Sequence, residues 1–236
     1  MNLTVARLTV RGLLGRRRGI LLLVAPVLLL VVSLIARYLD QQSAATDILG
    51  RLSLGTLVPI LGLVIGTGVI ATEIDDGSIV YLLAKPLPRW KIITTKLAVA
   101  VGTTWLFAAV PTLLAGLVLV GTQDNLAVAY TVGTLVAGAA YSAVFLLLGV
   151  VTRNAVVVGL AYALVWESLF GNFVEGARTL SIQQWGLSLA KTVAADGAIV
   201  APVSLGVAVP LLIIVAIAAT ALATVKLAGL TLSSDE

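Results

Sequence analysis

Between Asp124 and Arg153 the chain reads NLAVAYTVGTLVAGAAYSAVFLLLGVVT, Asn125 to Thr152, without one charged side chain. An apolar helix needs about 20 residues to cross the hydrocarbon core of a bilayer, so this stretch is long enough to span one. The pattern recurs along the chain. Arg18 and Arg37 bracket one such interval, Arg51 and Glu73 another, Lys96 and Asp124 a third, and Asp196 and Lys226 the last. A further run, Ala155 to Phe170, is interrupted only by Glu167 near its far end. Every backbone polar group needs a partner inside lipid, so helices are the expected spanning form. The expected fold is an all-α polytopic membrane protein, one transmembrane domain over residues 1–236. Its six spans fall at about 19–36, 53–72, 97–121, 127–151, 155–170 and 199–225.

Composition excludes the main alternatives. Of 236 residues 60% are hydrophobic and 11% charged, with a mean hydropathy of +1.12. A soluble domain carries roughly 45–50% apolar and 25% charged residues, and a water-soluble core of this size cannot hide the excess. There is no Cys, which removes disulfides, zinc ribbons and thiol nucleophiles, and no His, which removes Ser-His-Asp catalysis and imidazole metal sites. The nearest approach to a phosphate-binding loop, Lys191-Thr192, has Trp185 and Ala190 where glycines belong. The chain is therefore expected to bind no ATP, metal or other cofactor itself, and to catalyse nothing alone.

Fifteen basic residues against eleven acidic ones give a net charge of +4. They flank spans rather than form a stripe, which argues against nucleic acid. With the N-terminus in the cytoplasm, only Arg37, Arg51, Arg178 and Lys191 fall outside, so the positive-inside rule places both termini in the cytoplasm of a multi-pass cell-membrane protein. The first apolar run is long and no A-x-A cleavage pattern follows it, so it reads as a retained span.

Two connections are too long for turns, the cytoplasmic segment 73–96 and the external segment 171–197. The first reads ATEIDDGSIVYLLAKPLPRWKIITTK, Ala71 to Lys96. Asp75, Asp76 and Ser78 suit the N-terminus of a short helix, Ile79, Leu82 and Leu83 form its apolar side, and Pro86 and Pro88 end it. Such a helix is a docking element, or alternatively an interfacial helix resting on lipid headgroups. At the N-terminus, Arg7, Arg11 and Arg18 share one helical face with Ala6, Val10 and Leu13 opposite. That suits a helix lying in the inner interface, or a basic tail that only fixes topology.

The order Glu73, Gly77-Ser78, Leu82-Leu83, Pro86, Arg89 and then Lys96 opening a span resembles the membrane subunit of type-2 ATP-binding-cassette permeases. The family often has Thr at the position of Ser78 and a small residue at that of Pro88; both changes keep the capping and turn logic. The resemblance implies an amphipathic N-terminal elbow, six spans, a cytoplasmic coupling helix between spans two and three, and short external helices between spans five and six. It assigns ATPase coupling to Glu73, Asp75, Gly77, Ser78, Leu82, Leu83, Pro86 and Arg89. It also implies partners: two copies of a cytoplasmic ATPase subunit, which hold ATP and Mg, and a second permease copy or a related permease in a dimer.

Remaining candidates come from the spans and the external segment. Trp185, Leu189 and Val193 recur every four residues, as in a short helix dipping into the outer leaflet with Trp at headgroup level, and the resemblance makes Trp185 and Leu189 an external gate. Glu167 is the acid within a span; beside Trp166 near the outer end it is expected to reach water, or else to face a subunit interface or pathway. Gly62 and Gly66, with Gly133 and Ala137, permit close helix approach and are candidates for the same seam. Few polar groups line the spans, which favours an amphipathic, drug-like or lipid-like cargo for efflux. Two other classes stay open on residues alone: a self-sufficient carrier or channel, for which Glu167 is the available coupling acid, and a non-transporting membrane scaffold.

Overall fold

In the computed structural model of the chain the described residues are 3–13, 15–71, 73, 88–170 and 175–229. All regular structure among them is helical. A short helix α1 (Leu3–Leu13) precedes α2 (Arg16–Tyr38), α3 (Ala45–Gly68) and α4 (Arg89–Val120). Then come α5 (Leu126–Val151), α6 (Ala155–Ala161, continued by π-helical turns Tyr162–Phe170), α7 (Glu175–Arg178), α8 (Ile182–Val193) and α9 (Leu205–Gly229). Four stretches among the described residues, Ala45–Gly68, Arg89–Val120, Gln123–Val151 and Leu205–Gly229, are long and apolar enough to cross a membrane. Leu22–Tyr38 and Ala155–Glu167 are shorter apolar helices.

Several helices begin away from the edges of their apolar runs. Helix α3 starts at Ala45 rather than near 53, because Arg51 is exposed and pairs with Asp47 one turn earlier, so its charge ends the apolar run but not the helix. Pro88, extended at φ −64° and ψ 134°, sets the start of α4 at Arg89 rather than 97. Helix α9 starts at Leu205 rather than 199, where the Ser204 carbonyl accepts the N–H groups of Val207 and Ala208. A tight turn with Gly121 at φ +62° closes α4 and returns the chain into α5.

Helix α5 is the hub. Of its apolar stretch 61% is buried, against 17% for α9, and α3, α4, α6, α8 and α9 all pack on it. In lipid, helices gain nothing by hiding apolar surface from more apolar surface, so their association rests on close packing and interhelical hydrogen bonds. Both are present. A Cβ added to Gly62 would lie 2.8 Å from Tyr141 Cβ, and one on Gly66 would lie 2.9 Å from Phe145 Cβ. Tyr141 and Phe145 stack with ring centroids 5.8 Å apart. On another side of α5, a Cβ on Gly133 would meet the Gly186 carbonyl of α8 at 2.7 Å. Thr104 Oγ1 and Ser142 Oγ share a hydrogen bond of 3.1 Å, and Trp105 Nε1 donates to the Leu135 carbonyl at 2.8 Å, joining α4 to α5.

Prolines shape two of these helices. Pro59 follows π-helical turns at Ile48–Leu57, and Pro111 follows those at Trp105–Ala109. Proline lacks an N–H and its ring crowds the carbonyl four residues earlier, so the preceding turn widens. Pro26 and Pro210 sit inside α-helices. Helix α1 packs against α4 and buries Val5, Thr9 and Leu13, with Arg7 outside. Of the apolar side Ala6, Val10 and Leu13, Leu13 is buried while Val10 is exposed, because the stripe packed on the bundle runs at i, i+4 and i+8 from Val5.

The close contacts predict a contrast between glycines. Gly133→Ala should push α8 off α5 and lower stability by about 1–3 kcal/mol. Gly102→Ala, where nothing lies within 4 Å, should be neutral or stabilising by about 0.5–1 kcal/mol. Thermal unfolding of the two variants in the same detergent checks this.

Candidate functional site

Two buried polar assemblies sit toward opposite ends of α5. At the end where Gly149 meets Thr67 and Ile70, α3 stops and α4 begins. The last carbonyls of a helix have no partner within it and carry the negative end of its dipole. Lys96, in the second turn of α4, answers them. It is 0% exposed, and its Nζ donates to the Val69 carbonyl at 2.6 Å and to Glu73 Oε1 at 2.7 Å. A lysine is almost never fully buried without partners, and here a carboxylate and a backbone carbonyl supply them. The result is a clamp: one ammonium ties the end of α3, Glu73 five residues past Gly68, and the early turns of α4. In the chain, residues 74–87 lie between Glu73 of this clamp and Pro88 at the start of α4.

Of the residues expected to couple to an ATPase, Glu73 is therefore in the clamp and Arg89 opens α4, half-buried. Asp75, Gly77, Ser78, Leu82, Leu83 and Pro86, with the expected coupling helix, lie outside the described residues. Lys96 itself reads in the sequence only as a basic residue at a span boundary. The signal for its burial is its place one turn past Ile92 and Ile93, inside the apolar run and off the exposed face that carries Lys91.

The second assembly surrounds α8, which folds back into the bundle. Its first turn lies near Tyr141, which faces both Glu167 and the Gln183 backbone. Farther along, Gly186 packs on Gly133 and Ala137, and beyond its end the Ala195 N–H donates to the Asp124 carbonyl at 2.9 Å. Helix α8 thus runs antiparallel to α5, with its N-terminus in the interior. An interior helix N-terminus carries unpaired N–H groups and partial positive charge. Glu167 meets both needs. Its Oε1 accepts the Ile182 N–H at 3.0 Å and the Tyr162 hydroxyl at 3.1 Å, and its Oε2 accepts the Ser181 hydroxyl. Ser181 Oγ in turn accepts the Gln184 N–H at 3.3 Å, a side-chain cap of α8.

Two expectations are corrected here. Glu167, read as reaching water, is 0% exposed, because the α8 N-terminus needs an interior acceptor. Trp185, read as a headgroup anchor, is 3% exposed and donates from Nε1 to the Thr179 carbonyl at 2.8 Å, because α8 packs inside the bundle. Leu189 is half-buried against the core. Gly62 and Gly66 face Tyr141 and Phe145 of the same chain, and Gly133 and Ala137 face Gly186. The capping role of Ser181 and the hydrogen bond from Tyr162 to Glu167 went unread in the sequence, though Ser181-Ile-Gln-Gln has the hydroxyl-first pattern of a helix start. No group of three or more His, Cys, Asp or Glu able to hold a metal occurs among the described residues.

The clamp predicts strong coupling between its members. Lys96→Met leaves the Glu73 carboxylate and the Val69 carbonyl facing each other and should lower stability by about 3 kcal/mol. Adding Glu73→Gln should then restore about 1–3 kcal/mol, so that the pair is far from additive. Thermal denaturation of the two single variants and the double variant reads this directly.

No match is found for the chain among curated proteins. The family model described as ABC-2 family transporter protein matches residues 34–184, which run from the last turn of α2 through the clamp and Glu167 into the first turn of α8. Because that match takes in well over half of a 236-residue helical chain rich in apolar spans, the protein belongs to the ABC-2 transporter family of membrane permeases.

Proposed function

We propose that the chain is the membrane-spanning permease subunit of an ATP-driven exporter, working as a dimer with itself or a related permease and with two cytoplasmic ATPase subunits that hold ATP and Mg. In this reading the chain crosses the membrane six times, α2 and α6 serving as the first and fifth spans, with both termini in the cytoplasm and α1 as an interfacial elbow. The cargo is amphipathic, drug-like or lipid-like, in keeping with walls dominated by apolar side chains.

The observation that carries the reading is the Lys96 clamp. Lys96 ties the end of α3 and Glu73 to the early turns of α4, so a push on residues 77–84, which lie between Glu73 and Arg89 in the chain, reaches both helices. ATPase closure supplies the push, Leu82 and Leu83 the docking surface, and rigid-body tilting of α3 and α4 against α5 the change in access. Helix α8, seated on α5 through Gly186 and Trp185, is the outer gate that such tilting releases.

Leu83→Glu should insert normally and lose the ATPase in a pull-down, whereas Lys96→Met should keep the ATPase bound and slow ATP-driven flipping of a fluorescent phospholipid about tenfold. Full ATPase recovery with Leu83→Glu overturns the docking assignment. Orientation is tested separately, since the chain has no native Cys. Thiols introduced by Asn2→Cys and Ser233→Cys should react with an impermeant maleimide only after the membrane is opened, and those from Gln41→Cys and Asp196→Cys in intact cells. The reverse pattern overturns the topology.

A further inference from the structure

Helices α4 and α9 pack side by side and leave a groove of about 620 Å³ that opens sideways from the bundle. Three threonines line it, yet its wall is apolar, because each hydroxyl turns back on its own helix. Thr94 donates to the Trp90 carbonyl at 2.8 Å, Thr220 to the Ala216 carbonyl at 2.7 Å and Thr224 to the Thr220 carbonyl at 2.9 Å. With Ile217 and Ala221 between them, they offer a guest methyl groups and no spare hydroxyl donor. The two ends of the groove differ. Helix α9 begins beside Ser188 and Thr192 of α8, and the chain just past α8 is bonded to Asp124. Packed along α5, α9 therefore finishes at the Gly149 end, where Lys96 ties the early turns of α4 to the end of α3. Cations gather at that end. Lys226 is exposed in the last turn of α9, and Lys91, also exposed, holds its Nζ 5.6 Å from the centroid of the Trp90 ring. Trp90, on the groove wall, is 55% exposed, as an indole at headgroup level would be. Among the described residues the acid at this end is Glu73, which Lys96 already holds.

We propose that this groove holds an acyl chain of an anionic phospholipid whose headgroup meets Lys91 and Lys226. The methyl-lined wall takes the chain and the cationic rim takes the phosphate. A zwitterionic lipid fills the groove equally well but brings an ammonium to that rim. A second copy of this chain fits worse, because a two-fold seam along the groove sets each lysine near its own counterpart. The lipid in this position bridges the helix that follows segment 73–96 and the helix that ends the described chain. The site requires that α4 and α9 cross the bilayer and does not depend on an ATPase.

Trp90 is the reporter. The full chain is placed in phosphatidylcholine vesicles in which a rising share of one lipid carries bromine on its acyl chains, which quenches indole emission on contact. The emission of Trp90, taken as wild type minus Trp90→Phe, should be half lost at about a tenfold lower share of brominated phosphatidylglycerol than of brominated phosphatidylcholine. Lys91→Gln with Lys226→Gln should bring the two shares to within about twofold. The same loss of charge through Arg51→Gln with Lys191→Gln, at the other end of the bundle, should leave the preference intact. Ala221→Phe fills the groove and should weaken quenching by both lipids. Equal quenching of the wild type by the two lipids, or a preference untouched by the Lys91 and Lys226 changes, overturns the site. So does emission that neither lipid reaches in a chain that Ala221→Phe converts from dimer to monomer, since the groove then holds a second copy.

Discussion

A helix bundle dissolved in hydrocarbon receives no help from water in pulling its apolar faces together. Everything in this chain follows from how that deficit is made up around α5. Backbones are brought to contact distance where side chains have been reduced to hydrogen, at Gly62 and Gly66 on one flank and at Gly133 with Gly186 on another. Close approach multiplies dispersion contacts, each small, and brings α3 against Tyr141 and Phe145, whose rings stack on each other. Hydroxyls and an indole then stitch α4 to the same hub. The periphery is built differently. Helix α9 keeps most of its apolar surface outward, and so does α2, with Leu23, Val27 and Leu34 exposed.

The ionisable groups in the interior are placed by the same logic. Each answers a helix end that the fold forces into a dry environment: Lys96 the closing carbonyls of α3, Glu167 the opening N–H groups of α8. The signs are those that helix dipoles require, cation at a C-terminus and anion at an N-terminus. Neither group is an isolated buried charge. Lys96 is neutralised by Glu73, and Glu167 is held by two hydroxyls and a backbone N–H, so each is tied to a particular geometry and moves only if its helix end moves.

The helical, membrane-bound character of the chain was legible from its uncharged intervals, because lipid tolerates only segments that satisfy their own backbone. The short helix around Trp185 was legible too, from a four-residue spacing that a strand or loop does not produce. Its environment was not. Whether Trp185 meets headgroups or protein depends on Gly186 finding Gly133 about fifty residues earlier in the chain, and no local pattern records that. Glu167 failed in the same way: its flanking Trp166 argued for a wet boundary, while its real partners, Ser181 and Ile182, lie across an intervening segment. Lys96 was visible as a boundary marker, yet its role depends on where α3 ends, which the apolar run overshoots. Chemistry that depends on one element's own periodicity could be read; chemistry made by two elements meeting could not.

The wide turns in α3 have a geometric corollary. An α-helix advances about 100° around its axis per residue, and a π-helical stretch absorbs surplus residues within fewer turns. Each surplus residue that Ile48–Leu57 gave up or took on would therefore swing the neighbouring part of α3 through roughly that angle without breaking the helix. Pro59 fixes where the stretch ends, and Lys96 holds the far terminus still. A screw motion stored in this way would turn Asp47, Gly50 and Arg51 toward or away from α8 while the rest of α3 kept its seat, a swivel with its pivot at a proline.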